Sequence, residues 1–235
     1  MVSDAPSQRF PVLDRPVMLI AVVGMVIAVI APFDVAFEAL TAGSQLLRPL
    51  LIAILVIVGS ACARRSGMKL EGHGAARPSL IGLAAAAAVA LYVVVIDAWF
   101  YRTSLPDSYV QFMHAPLFAR LSYYMLRAFN ENILYRLFLF SGLVWLVTAL
   151  LGGRKPPGAM VIVLMILAQL INVGITLGAT HEVPTTALLL SYDLCRYIVP
   201  GVVWAVLFWR FGFATAEVAS VGCHLFLQPA LGGLI

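Results

Sequence analysis

Apolar residues run along this chain in long blocks, separated by short polar segments rich in Arg, Gly and Pro. The blocks fall at roughly 16–37, 46–63, 79–100, 117–152, 159–179, 186–209 and 214–235. An α-helix needs about 20 apolar residues to cross a hydrocarbon core, and each block approaches or exceeds that length. The pattern predicts an all-α, polytopic transmembrane bundle of about seven spans, forming one integral membrane domain over 1–235. The fourth block is longer than a straight span requires. Its opening, "LFARLSYYMLRAF", puts Arg120 and Arg127 seven apart on one helical face, which predicts an interfacial or tilted first section. Before it lies the polar connection "YRTSLPDSYVQFMHAP".

Composition agrees. The chain is 62% hydrophobic and 11% charged, with a mean hydropathy of +0.99. A soluble domain has about a quarter of its residues charged, so the lipid bilayer is the expected solvent. The formal net charge of +4 does not indicate a nucleic-acid partner, because the basic residues gather in short loops where they set topology. The loops "RRSGMKLEGHGAARP" and "GGRKPPG" are basic and are placed on the cytoplasmic side. Seven spans then put the N-terminus inside and the C-terminus outside, while Arg102, Arg120 and Arg127 crowd the other face. Arg9 and Arg15 precede a long apolar run with no convincing cleavage site, as in an uncleaved first span of a multi-pass plasma or inner membrane protein. Cys62, Cys195 and Cys223 lie in or beside apolar runs without ligand spacing, and read as packing residues rather than a disulfide or metal set.

Against that background a few polar residues stand out. An ionisable side chain inside a span costs several kcal/mol unless paired or hydrated, which makes Glu131, Arg136, His181 and His224 functional candidates. On an α-helix Glu131 and Tyr135 share a face, whereas Arg136 lies roughly 140° away. That geometry aims Glu131 at one polar space and Arg136 at another helix; an interhelical ion pair for each is the alternative. Gly174 and Gly178 form a GxxxG pair, which predicts close approach of a neighbouring helix, with His181 one turn beyond and Glu182 beside it. His181 at a helix end also suits a plain interfacial residue. In the last block Glu217, Ser220, His224 and Gln228 form one polar stripe, suited either to a structural hydrogen-bond ladder or to a polar site.

Taken together, these residues resemble the CPBP family of intramembrane proteases, the CAAX-protease and bacteriocin-processing group also called Abi proteins. The family's Glu-Glu-xxx-Arg motif, with an aromatic before the Arg, matches "ENILYR": Glu131, Tyr135 and Arg136. Its Phe-xxx-His motif matches "LGATH", with His181, and its His-xxx-Asn motif matches "HLFLQ", with His224 and Gln228. The chain departs where Asn132 replaces the second glutamate, Leu177 replaces Phe and Gln228 replaces Asn. The resemblance covers about 130–230, making 116–235 a motif-bearing core behind the N-terminal spans of 1–115. It implies a CAAX-protease-like core and hydrolysis of a membrane-associated peptide or protein. In that reading Glu131 activates water, His181 positions it, and His224 with the Gln228 amide stabilises the oxyanion. Asn132, Tyr135 and Arg136 take supporting roles. No cofactor is expected. One Glu and two His also match the ligands of some zinc hydrolases, but HExxH is lacking and the three residues sit on separate helices. Two other readings compete: a noncatalytic scaffold or immunity protein, motivated by Asn132, and a transporter using the polar stripe.

Overall fold

The computed structural model describes residues 14–31, 35–71, 76–179 and 186–235, and every element among them is helical. Helix α1 (Arg15–Ile30) begins where the Asp14 side chain accepts a hydrogen bond from the Val17 N–H at 3.3 Å. Arg64 donates a hydrogen bond to the same carboxylate, tying the start of α1 to the end of α3 (Leu47–Arg65). The first block does not run helically to 37 as expected. Ala31, before Pro32, is extended at φ −77°, ψ 146°, the conformation that a following proline imposes. A separate short helix, α2 (Val35–Thr41), precedes α3.

Several of the remaining helices run into π-helical segments. α4 (Ala76–Val95) runs on into a π-helical turn, Ile96–Phe100, and α5 (Asp107–Met113) lies in the polar connection. α6 (Leu117–Asn132), the π-helical Ile133–Phe140 and α7 (Ser141–Leu150) make one long rod. α8 (Gly158–Ala179) follows, then α9 (Ala187–Asp193), a π turn at Leu194–Ile198, α10 (Val199–Phe211) and α11 (Phe213–Leu234). Gly212 makes the last reversal at φ +101°, a region that glycine tolerates and other residues rarely adopt. The Phe213 and Ala214 N–H groups donate to the Lys69 and Leu70 carbonyls at 3.0 Å, which satisfies two orphan donors at the start of α11.

Among the described residues, five helical stretches are long and apolar enough to cross a membrane: Leu47–Arg65, Arg77–Phe100, Leu117–Leu150, Gly158–Ile175 and Ala187–Phe211. α1 is shorter, at 16 residues, and α11 is diluted by Glu217, His224 and Gln228. α11 packs against α4, α6 and α10, while α3 packs against α1, the π segment of the long rod and α7. Phe140, Phe208 and Phe213 are fully buried where the rod, α10 and α11 meet; the Phe208 and Phe213 rings cross at 5.5 Å. The outward faces of the described helices are apolar, with Leu19, Val29, Leu91 and Val163 exposed, as a lipid environment requires.

Two expectations are corrected here. Arg120 does not lie on an exposed face: it is buried, with Nη1 donating to the Gln228 carbonyl at 2.6 Å and Nε donating to the Ala115 carbonyl at 3.1 Å. The amphipathic face of α6 turns into the bundle because α11 offers polar partners there. Nor does Gly174 mark a helix contact, since a Cβ there would meet nothing within 4 Å. Tight approaches occur instead at Gly59, where a Cβ would sit 2.5 Å from the Leu137 carbonyl oxygen, at Gly201 against Gln169, at Gly232 against Arg120 and at Gly24 against Ile52 and Ile133.

Candidate functional site

Glu131 and His224, from α6 and α11, line one cavity of about 280 Å³. Both are half-buried, and Asn172 of α8 and Ser220 of α11 line the same space. Glu131 Oε1 accepts from Arg127 Nε at 2.7 Å, an i,i+4 ion pair on α6. The His224 ring stacks on Tyr124 with centroids 5.4 Å apart and planes inclined by 16°. Its Nδ1 lies 3.5 Å from Gln228 Nε2. With the amide NH₂ donating to Nδ1, the neutral imidazole carries its proton on Nε2.

Arg136 lines the same cavity as Glu131, contrary to the sequence expectation. The reason is local. Residues 133–140 are π-helical, and a turn closed by i→i+5 bonds brings residues five apart onto one face. A spacing that separates two side chains by roughly 140° on an α-helix therefore becomes a shared face here. Tyr135 is rotated away from the cavity into the main hydrophobic core.

Asn132 and Gln228 do not line the cavity. Asn132 is fully buried and donates through Nδ2 to Glu217 Oε2 at 3.2 Å, joining α6 to α11. The polar stripe of α11 is thus divided: Ser220 and His224 face the cavity, Glu217 bonds Asn132, and Gln228 sits behind His224. His181 and Glu182 lie outside the described residues, as does the side chain of Leu177. The zinc set of Glu131, His181 and His224 includes one of these. Among the described residues, no three His, Cys, Asp or Glu side chains gather closely enough to hold a metal ion.

Sequence reasoning passed over a second polar cluster at the cavity's edge. Asp97, with no exposed surface, accepts from Tyr109 Oη at 2.7 Å and from Tyr192 Oη at 3.2 Å, and pairs with Arg196 Nη2 at 3.3 Å. Arg196 also lies over the Tyr109 ring, 4.5 Å from its centroid. Burial pushes the Tyr109 hydroxyl far above its ordinary range; the Arg196 charge opposes the shift, while the Asp97 charge and hydrogen bond add to it. Tyr109 therefore stays a proton donor at any working pH. A second hollow of about 430 Å³ shares Tyr109, Tyr123, Tyr124, Arg196 and Tyr197 with the cavity, so an aromatic partition divides the two. The signal was available: Asp97 in "VVVIDAWF" and Arg196 in "LCRYIV" are charges in apolar runs, the criterion that singled out Glu131.

Chemically, the cavity offers a carboxylate held by the Arg127 guanidinium, an imidazole, an amide, a hydroxyl and two further guanidinium groups, of Arg136 and Arg196. Comparison with known protein families, curated proteins and solved structures gave no significant match.

Proposed function

We propose that the protein is a CPBP-like intramembrane endopeptidase that hydrolyses a membrane-associated peptide or protein with water activated by Glu131. One observation carries this reading: Glu131 and His224, remote in sequence, border a single cavity within an apolar bundle. Glu131 takes a proton from water as the oxygen attacks the scissile carbonyl, then passes it to the leaving amine. His224 donates from Nε2 to the developing oxyanion, and Gln228 holds the ring in that tautomer from behind. Gln228 is thereby a positioning residue rather than an oxyanion donor. Arg127 fixes the orientation of the Glu131 carboxylate. Substrate enters through the hollow behind the tyrosine partition. The bundle makes seven crossings in this reading, with α1 and α11 joining the five longer spans, and sits in the plasma or inner membrane.

The alternative is a noncatalytic scaffold or immunity protein. Its support is the Asn132–Glu217 hydrogen bond, which uses a motif position to join helices rather than to face the cavity. The two separate in one assay. Purified protein in liposomes is mixed with a pool of membrane-anchored peptides, and cleavage is read by mass spectrometry. Hydrolysis requires cleavage by the natural chain and at least a hundredfold loss in both Glu131→Gln and His224→Ala, each still folded. Undiminished cleavage in both variants rules the mechanism out, and no cleavage by the natural chain favours the scaffold.

A further inference from the structure

Six aromatic side chains, Tyr109, Phe112, Tyr123, Tyr124, Tyr192 and Tyr197, line the second hollow of about 430 Å³, together with the charged Asp193 and Arg196. Phe112, Tyr123 and Tyr124 form a corner rather than a stack. Their centroids lie 5.0–5.8 Å apart and their planes are inclined by 62° to 85°. Ring faces in such a corner point in different directions, as they do in aromatic cages that surround organic cations. A tyrosine belt at the membrane surface is the plainer reading, but belt residues meet the headgroups singly and do not enclose a hollow.

The wall already holds one cation against its rings. The Arg196 guanidinium lies 4.5 Å from the centroid of Tyr109 and 5.5 Å from that of Tyr192. Asp97 neutralises it: this carboxylate is fully buried, pairs with Nη2 at 3.3 Å and does not line the hollow. Asp193 differs. It is half-buried and makes no hydrogen bond or ion pair with a described residue, although the Arg196 charge acts on it. Two carboxylates thus share one guanidinium, and the excess negative charge belongs to the one that borders open space. Asp193 also lies within an apolar span, Ala187–Phe211, where an unpaired carboxylate is costly. An ammonium group in the hollow relieves that cost, and the electron-rich ring faces replace part of the water it gives up. An anion there meets Asp193 instead.

We propose that the hollow binds an organic ammonium cation, with Asp193 as its counter-charge and the surrounding rings as its walls. Such a cation has two sources at a bilayer, the side chain of a lysine in a membrane-associated peptide or the choline head of a lipid. The inference goes beyond the hydrolase reading and does not require Glu131 to act as a base. Asp193 does not line the cavity that Glu131 and His224 share.

The test uses the full chain in dodecyl maltoside, whose uncharged head adds no competing cation, and isothermal titration with two matched pairs of probes. One pair is the N-acetylated amide of lysine and that of norleucine. The other is choline and its uncharged isostere, in which carbon replaces the nitrogen. At least one cation should bind about tenfold or more tightly than its neutral partner. The pair that shows the preference identifies the source. Asp193→Asn, which keeps the volume and drops the charge, removes most of that preference. Equal affinity within both pairs overturns the proposal before any variant is made, and leaves the tyrosines as an interfacial belt. A preference undiminished in a folded Asp193→Asn protein also overturns it. Glu131→Gln keeps the two ideas apart: it abolishes cleavage if the hydrolase reading is right, yet leaves the preference for the cation.

Discussion

Asn132 shows how one side chain gains its meaning from another element. In sequence it stands where a carboxylate would be expected from the resemblance, and it suggests lost chemistry. In the fold its amide holds Glu217, a carboxylate contributed by α11, at 3.2 Å. Replacing Asn132 with leucine keeps the volume roughly constant but removes that donor and strands a buried carboxylate oxygen. We expect a loss of about 1–3 kcal/mol in stability, read as a lower unfolding temperature in nanodiscs. An unchanged unfolding temperature would show that Glu217 finds other partners. The candidates Glu131 and His224 were legible because charged and polar residues inside apolar blocks are expensive. Their partners were not legible: Arg127 contacts Glu131 by helical spacing, but Asp97 and Arg196 meet across nearly a hundred residues of chain.

At the level of single helices, pattern located the apolar blocks well and misjudged their interiors. The second to seventh blocks each coincide within a few residues with a described helix or with helices joined by a π-helical segment. Hydropathy does not reveal π turns, because one inserted residue leaves the block as apolar as before. It does change which side chains share a face, and for that reason Arg136 was aimed wrongly. The cap of α1 provides a prediction. Partial burial raises the Asp14 carboxyl, but the Arg64 hydrogen bond, the Val17 N–H and the Arg64 charge outweigh it and hold Asp14 below the usual carboxylate range. A group depressed on folding stabilises the fold above its unfolded pKa, about 3.9 for Asp, and loses that contribution as pH falls through the lower folded value. The Asp14–Arg64 contribution is therefore intact at neutral pH and disappears only below about pH 4. Asp14→Asn should lower the unfolding temperature at pH 7 and converge with the natural chain in strong acid. A constant difference across that range would assign the effect to capping alone.

For the molecule as a whole, the basic loops and the chain reversals make a joint prediction. Gly67 lies near Lys155, a Cβ on it falling 3.6 Å from Nζ, so the loops after α3 and α7 share one end of the bundle. The start of α1 joins that end through Asp14 and Arg64, and Gly212 joins it through the contact of α11 with Lys69 and Leu70. With seven crossings, reporter fusions should place the N-terminus in the cytoplasm and the C-terminus across the membrane. Both termini on one side would reduce the crossings to an even number and remove α1 or α11 from the count.

The sequence alone determined the solvent, the helical class, the approximate span boundaries and two of the polar residues that face the cavity. Those follow from composition and from the cost of placing polar groups in hydrocarbon, which act locally along the chain. Tertiary structure alone decided that Arg196 meets Asp97, that Gln228 stands behind His224, and that Asn132 is occupied by Glu217. Each of these depends on which helices lie side by side and on the rotation of each about its axis, and a π turn resets that rotation without altering the hydropathy that a reader of the sequence can see.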